Sequence, residues 1–128
     1  MGAVLKSPKV IVRAPSIEAR IMLCRGADWN DSFQIKRGGI PLDLTDKAIQ
    51  LVIAAEHDST VPWLLIDSRL GDIFFGDDPL QGKVQIYVAA GRLDGIPLGE
   101  WRHHSRIIAD GESQELMRGP MIMLPARY

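Results

Sequence analysis

Twelve glycines and eight prolines are scattered through the 128 residues. They divide much of the chain into pieces too short for typical helices. Between these breaks the apolar residues alternate with polar ones, the period of a half-buried strand. Ile17, Ala19, Ile21 and Leu23 point one way, and Glu18, Arg20 and Met22 the other. After Gly26-Ala27-Asp28, Phe33 and Ile35 alternate with Ser32, Gln34 and Lys36, and Gly38-Gly39 turns the chain. Ala48 to Ala55 forms a third run with Ile49, Leu51 and Ile53 on one face. Trp63 to Ile66, Ile73 to Phe75 and Val84 to Val88 follow, and Ala89 to Leu93 has room for one helical turn. Glu100–Ile108 and Ser113–Leu124 flank Asp110-Gly111, a hairpin signal because Gly accepts the positive φ that a tight turn demands. The expected fold is therefore all-β, an antiparallel Ig-like β-sandwich of about seven or eight short strands over residues 17–128. Residues 1–16, with Pro8, Pro15 and a single β-branched stretch at Val10-Ile11-Val12, are expected to be an N-terminal arm or extra strand. They read either as a frayed terminus or as a strand that docks on a neighbour.

Charge and composition narrow the function classes. Lys and Arg total 15 against 16 Asp and Glu, a net charge of −1, without the basic excess of a dedicated nucleic-acid binder. No apolar run approaches the roughly 18 residues that span a bilayer, so no membrane partner is expected. The start lacks a signal-peptide core, and Lys6 stands where a myristoylation pattern needs Ser or Thr. The lone Cys24 cannot close an intrachain disulfide. A soluble protein of a reducing cytoplasm is expected.

No motif specifies chemistry. His103 and His104 are adjacent on a strand and should leave opposite faces, which prevents easy joint chelation. His57 lies in a Glu-His-Asp-Ser loop, and no zinc spacing occurs, so no metal is expected. Ser105 shares a face with His103, but no nucleophile elbow accompanies the pair. Asp77-Asp78 between Gly76 and Pro79 reads as a turn. The glycines form no phosphate cradle. No catalytic residue and no cofactor is assigned. Trp29, Trp63 and Trp101 suggest a sugar platform on one reading and core packing on the other. Arg102 and Arg106 share a face, with Arg118 expected across the final hairpin. They are the candidate interface residues; the other reading is a solvated face.

The order of these pieces resembles the small β-sandwich domains of tail and baseplate proteins of bacteriophages and prophages. The resemblance covers residues 18–128. It rests on Arg25-Gly26-Ala27-Asp28-Trp29 and Asp31-Ser32-Phe33-Gln34-Ile35, and on Gly39-Ile40-Pro41-Leu42-Asp43-Leu44-Thr45-Asp46. It is completed by Gly99-Glu100-Trp101, Gly119-Pro120-Met121-Ile122-Met123 and Ala126-Arg127-Tyr128. Asp46 stands where that pattern ends in Gly, and His103-His104 replaces a Tyr-Asp pair. In the Asp43-Leu44-Thr45 turn, Leu44 is expected to enter the core while Asp43 and Thr45 bond the backbone.

The resemblance implies a non-enzymatic structural or adaptor subunit of a tail or baseplate. Such a subunit would be made in a bacterial cytoplasm, end in the virion tail, and act through copies of itself or other tail subunits. Two other readings remain open. One is a glycan- or peptide-binding sandwich using the tryptophans or a strand edge. The other is a small hydrolase using His103 with Ser105 or Asp110. Buried Trp63 and Trp101, with no deep polar pocket, would weaken both.

Overall fold

A computed structural model describes residues 3–4, 10–12, 17–56 and 60–126. The strands are β1 (Ala3–Val4), β2 (Val10–Val12), β3 (Ile17–Cys24), β4 (Trp29–Arg37), β5 (Ile40–Pro41) and β6 (Ala48–Ala54). They continue with β7 (Leu64–Asp67), β8 (Ile73–Phe74), β9 (Lys83–Val88), β10 (Gly99–Ala109) and β11 (Glu112–Leu124). One helical turn, α1 (Ala90–Leu93), precedes β10. Seven of the described strands have four or more residues, the scale expected from the sequence; β1, β2, β5 and β8 are shorter.

The strands form two sheets. One runs β1-β3-β11-β10-β6-β7 and the other β2-β4-β9-β8, with β5 on the margin of β4. The chain is an all-β sandwich, but its pairing is not purely antiparallel as expected. β3 runs parallel to β11, β1 to β3, and β2 to β4. The direction in which an early strand meets the last one is a property of the whole path, and no local turn signal encodes it. The two described pieces of the arm pair with this chain's own β3 and β4.

Alternation fills the space between the sheets. Ala19, Ile21 and Leu23 from β3 meet Phe33 and Ile35 from β4, Ile49, Leu51 and Ile53 from β6, and Val84, Ile86 and Val88 from β9. Leu44 is also buried, and the Thr45 N–H donates to Asp43 Oδ1 at 2.9 Å, an Asx turn as expected. Asp46 has φ of 59°, a left-handed conformation that glycine adopts most readily. In the final hairpin Ala109 pairs with Glu112, and Asp110 and Gly111 have φ of 52° and 79°, as a two-residue turn requires. Leu116 is the extra residue of a bulge where the β10–β11 register shifts, so it and Met117 are both buried. At the outer edge of β7, Arg92 Nη2 donates to the Leu65 carbonyl at 3.5 Å while its other amino group pairs with Asp72. A charged side chain on an edge strand discourages sheet-to-sheet association.

Leu51 is buried on β6, with Ser105 and Ile66 as its neighbours on β10 and β7. Leu51→Ala is expected to lower unfolding stability by about 2–5 kcal/mol, measured by urea denaturation. A change near zero would contradict the inward placement of this face.

Candidate functional site

The outer face of the six-stranded sheet gathers the three candidate arginines. Strand register places Leu65, Val52, His104, Arg118 and Glu18 in one row across β7, β6, β10, β11 and β3. Arg102 and Arg106 lie on β10 to either side of His104, so both are diagonal neighbours of Arg118, at about 7–8 Å for such pairs. A second row crosses the same face: Asp67, Gln50, Arg106 and Glu115.

This second row is hydrogen-bonded. Gln50 Oε1 accepts from Arg106 Nε at 3.0 Å and Nη2 at 2.7 Å, and Gln50 Nε2 donates to Asp67 Oδ2 at 3.2 Å. Asp67 in turn receives Arg69 Nε at 2.9 Å, Arg69 Nη2 at 2.6 Å and the Arg69 backbone N–H at 2.8 Å. The Arg69 side chain lowers the Asp67 carboxyl to about 2; burial opposes this, and the Arg69 N–H and Gln50 assist. Arg118 pairs with Glu115 at 3.5 Å on the surface. The arrangement fixes the orientation of Arg106 on the surface. The sequence reading missed Gln50, Asp67 and Arg69. The one available signal was Gln50, a polar residue interrupting the apolar run of β6; its pairing with Asp67 is a long-range fact.

His103 and Ser105 do share a face, but that face is the core. His103 is 0% exposed, and Nε2 lies 2.6 Å from the Ala19 carbonyl. Because a carbonyl only accepts, Nε2 carries the proton. Ser105 is equally buried, and Asp110 sits exposed in the hairpin turn at the far end of β10. Substrate has no access to the proposed His103–Ser105 pair, and Asp110 is too distant along the strand to join it. The alternative reading of His103 as a hydrolase residue finds no support in this placement, and His103 belongs to the packed core.

That role is visible in the backbone. The parallel β3–β11 ladder pairs Ile17 with Met117 and Glu18 with Arg118, lapses, and resumes at Ile21 with Met121. The lapse falls at Gly119 and Pro120, and Pro120 has no N–H to offer Ala19. His103, paired with Gly119 on β10, reaches over it and donates to that carbonyl instead. A Cβ on residue 119 would lie 2.1 Å from the Ala19 oxygen, so only glycine leaves the passage open.

The tryptophans do not form one platform. Trp29 is buried and donates from Nε1 to Asp31 at 3.1 Å. Trp101 packs half-buried against the core with Nε1 on the Pro97 carbonyl at 2.7 Å, and Trp63 is 44% exposed. Their rings meet edge-on, 5.6 Å apart at 65°, a geometry that offers no shared flat surface. Of the acids, Asp78 caps a short turn through the Leu80 N–H, and Asp72 holds Arg92. His57 lies outside the described residues. Among the described residues no three His, Cys, Asp or Glu side chains converge to hold a metal ion, and no helix is long and apolar enough to cross a membrane. An open groove of about 420 Å³ lies beyond β8, lined by Leu44, Lys47, Arg69, Phe74, Phe75 and Pro79 among others.

Together these features define an all-β two-sheet sandwich whose polar side chains are arranged on its surfaces and in its strand joints. Its fold is shared with the N-terminal domain of phage TP901-1 ORF48: TM-score 0.57, 10% sequence identity, 97% of this chain and 99% of that chain covered. No family model and no curated protein sequence matches this chain.

Three outcomes are expected. Gly119→Ala is expected to cost about 3 kcal/mol or more, or to prevent folding, because backbone must move. Gly91→Ala, with open space around it in α1, is expected to be neutral or slightly stabilising by thermal melting. The Asp67 carboxyl has an ordinary value of 3.8 and a folded value of about 2. Its contribution is full above about pH 4 and vanishes as pH falls through about 2. Over that window the wild type should lose about 1–2 kcal/mol that Asp67→Asn does not, a figure reduced for the solvent around Arg69, which is 56% exposed. Parallel pH dependences in urea titrations would remove this role.

Proposed function

We propose that the chain is a non-enzymatic structural or adaptor subunit of a phage or prophage tail or baseplate, working through protein–protein contacts. The observation that carries this reading is the fold likeness to a phage protein domain, which extends over nearly the full length of both chains. The surface supports it independently. Arginine and tryptophan are the residues that most often anchor interfaces. Here Arg102, Arg106 and Arg118 surround His104 on the flat outer side of one sheet, with Val52 and Leu65 beside them. Arg106 is already oriented by Gln50, so less side-chain freedom remains to be lost on docking. In this reading the partners are further copies of the chain or neighbouring tail subunits, and residues 17–128 together with the arm strands β1 and β2 are the folded unit.

Co-expression with the products of adjacent genes, followed by native mass spectrometry, tests the reading. The expected result is a stable complex with itself or with a tail component. Arg102→Glu combined with Arg106→Glu should weaken it about tenfold or more while the melting temperature stays close to wild type. A monomer that joins none of those products would overturn the assignment.

A further inference from the structure

The outer face of the second sheet differs in kind from the arginine face. β4 contributes Asn30, Ser32 and Gln34, β9 contributes Gln85 and Tyr87, and β8 contributes Phe74. Register aligns them in rows: Asn30 beside Tyr87, then Ser32, Gln85 and Phe74 side by side, then Gln34 beside Lys83. The centre of this face carries amides, a hydroxyl and two rings; among the described residues its charged groups are at the margins, Lys36 and Lys83 at one end and Asp28 beside Tyr87 at the other. Tyr87 is 51% exposed and Phe74 55%. As diagonal neighbours on paired strands their ring-bearing positions are about 7–8 Å apart.

Two of these side chains are held in place. Tyr87 donates its hydroxyl to Asp28 Oδ2 at 3.0 Å, and Asp28 is itself fixed by the Ala90 N–H at 2.9 Å. Gln34 Nε2 donates to the Gln81 carbonyl at 2.9 Å, which leaves its oxygen as an acceptor on the surface. Phe74 also lines the open groove beyond β8, so the face continues into a concavity.

We propose that this face binds a neutral polysaccharide, lying across β4, β9 and β8 with sugar rings against Tyr87 and Phe74. Each amide offers both a donor and an acceptor, as does each sugar hydroxyl. Exposed rings take the apolar faces of sugars, and with the Asp28 carboxylate occupied by the Tyr87 hydroxyl and the Ala90 N–H, the uncharged centre matches a neutral ligand better than an ionic one. The site uses none of the arginines assigned to assembly, and it stands or falls separately from the proposed function.

Affinity electrophoresis of the full chain through native gels containing hydroxyethylcellulose, galactomannan or arabinoxylan tests this. Retardation is expected in at least one gel and should persist in 0.5 M NaCl, roughly the regime where surface charge is screened. Tyr87→Ala and Phe74→Ala should each weaken it about tenfold, and Gln85→Ala should weaken it measurably. Tyr87→Phe should retain most binding, since the ring remains; this variant also guards against misreading a folding defect. Arg106→Glu should leave retardation unchanged. The proposal is overturned by no retardation in all three gels, or by retardation that survives both ring deletions. It is equally overturned if these ring deletions abolish protein assembly while no polysaccharide binds, which would make the face a protein interface.

Discussion

The six-stranded sheet depends on one joint, where the first long strand lies alongside the last. Gly119 lets the β3 backbone approach so closely that a side chain there would overlap the Ala19 oxygen. Pro120 removes the donor that a continuous ladder would supply, and His103 replaces it from the next strand over. Glycine, proline and histidine thus act as one unit drawn from two neighbouring strands. An unsatisfied buried carbonyl would cost about 1–3 kcal/mol, so the imidazole both fills space and completes the hydrogen bonding of the backbone. This unit bridges the lapse between the two stretches of β3–β11 pairing, so β3 stays against β11 along its length and Ala19, Ile21 and Leu23 stay in the core.

What the sequence made legible was local. Period-two alternation placed Ile49, Leu51 and Ile53 on the inner face, and Asp110-Gly111 marked the hairpin turn; both depend on residues within a few positions of each other. The Asp43-Leu44-Thr45 turn was legible for the same reason, since its hydrogen bond spans two residues. What escaped were relations across the chain. The parallel match of β3 with β11 joins segments about a hundred residues apart, and nothing near either strand sets its direction. The row from Asp67 through Gln50 to Arg106 has the same character, because three strands must pair in register before those side chains meet.

His103 shows how one signal can support opposite readings. Alternation alone put it with Ser105 on one face, which is compatible with either a reactive pair or a core histidine. Burial decides between them: a general base must reach a proton on substrate, and an imidazole sealed against the Ala19 carbonyl has no such proton within reach. The tryptophans divide by the same criterion. Trp29 and Trp101 have their indole N–H groups bonded to protein acceptors, so these rings serve packing first.

The two sheets turn different chemistry outward, and that difference constrains function more than the interior does. Both inner faces are mainly apolar, the larger sheet supplying Ile, Leu and Met and the smaller Ile, Val, Phe33 and Trp29. Outside, the larger sheet carries arginines, with Arg106 held by an amide and Arg118 by a carboxylate, whereas the smaller carries amides and two rings at its centre with lysines at one margin. A cluster of guanidinium groups suits a partner that supplies carboxylates and carbonyls, and the amide face suits one that supplies hydroxyls. Because a rigid sandwich separates the two faces, occupation of one does not block the other. The chain therefore presents two chemically distinct surfaces, one on each side of the sandwich.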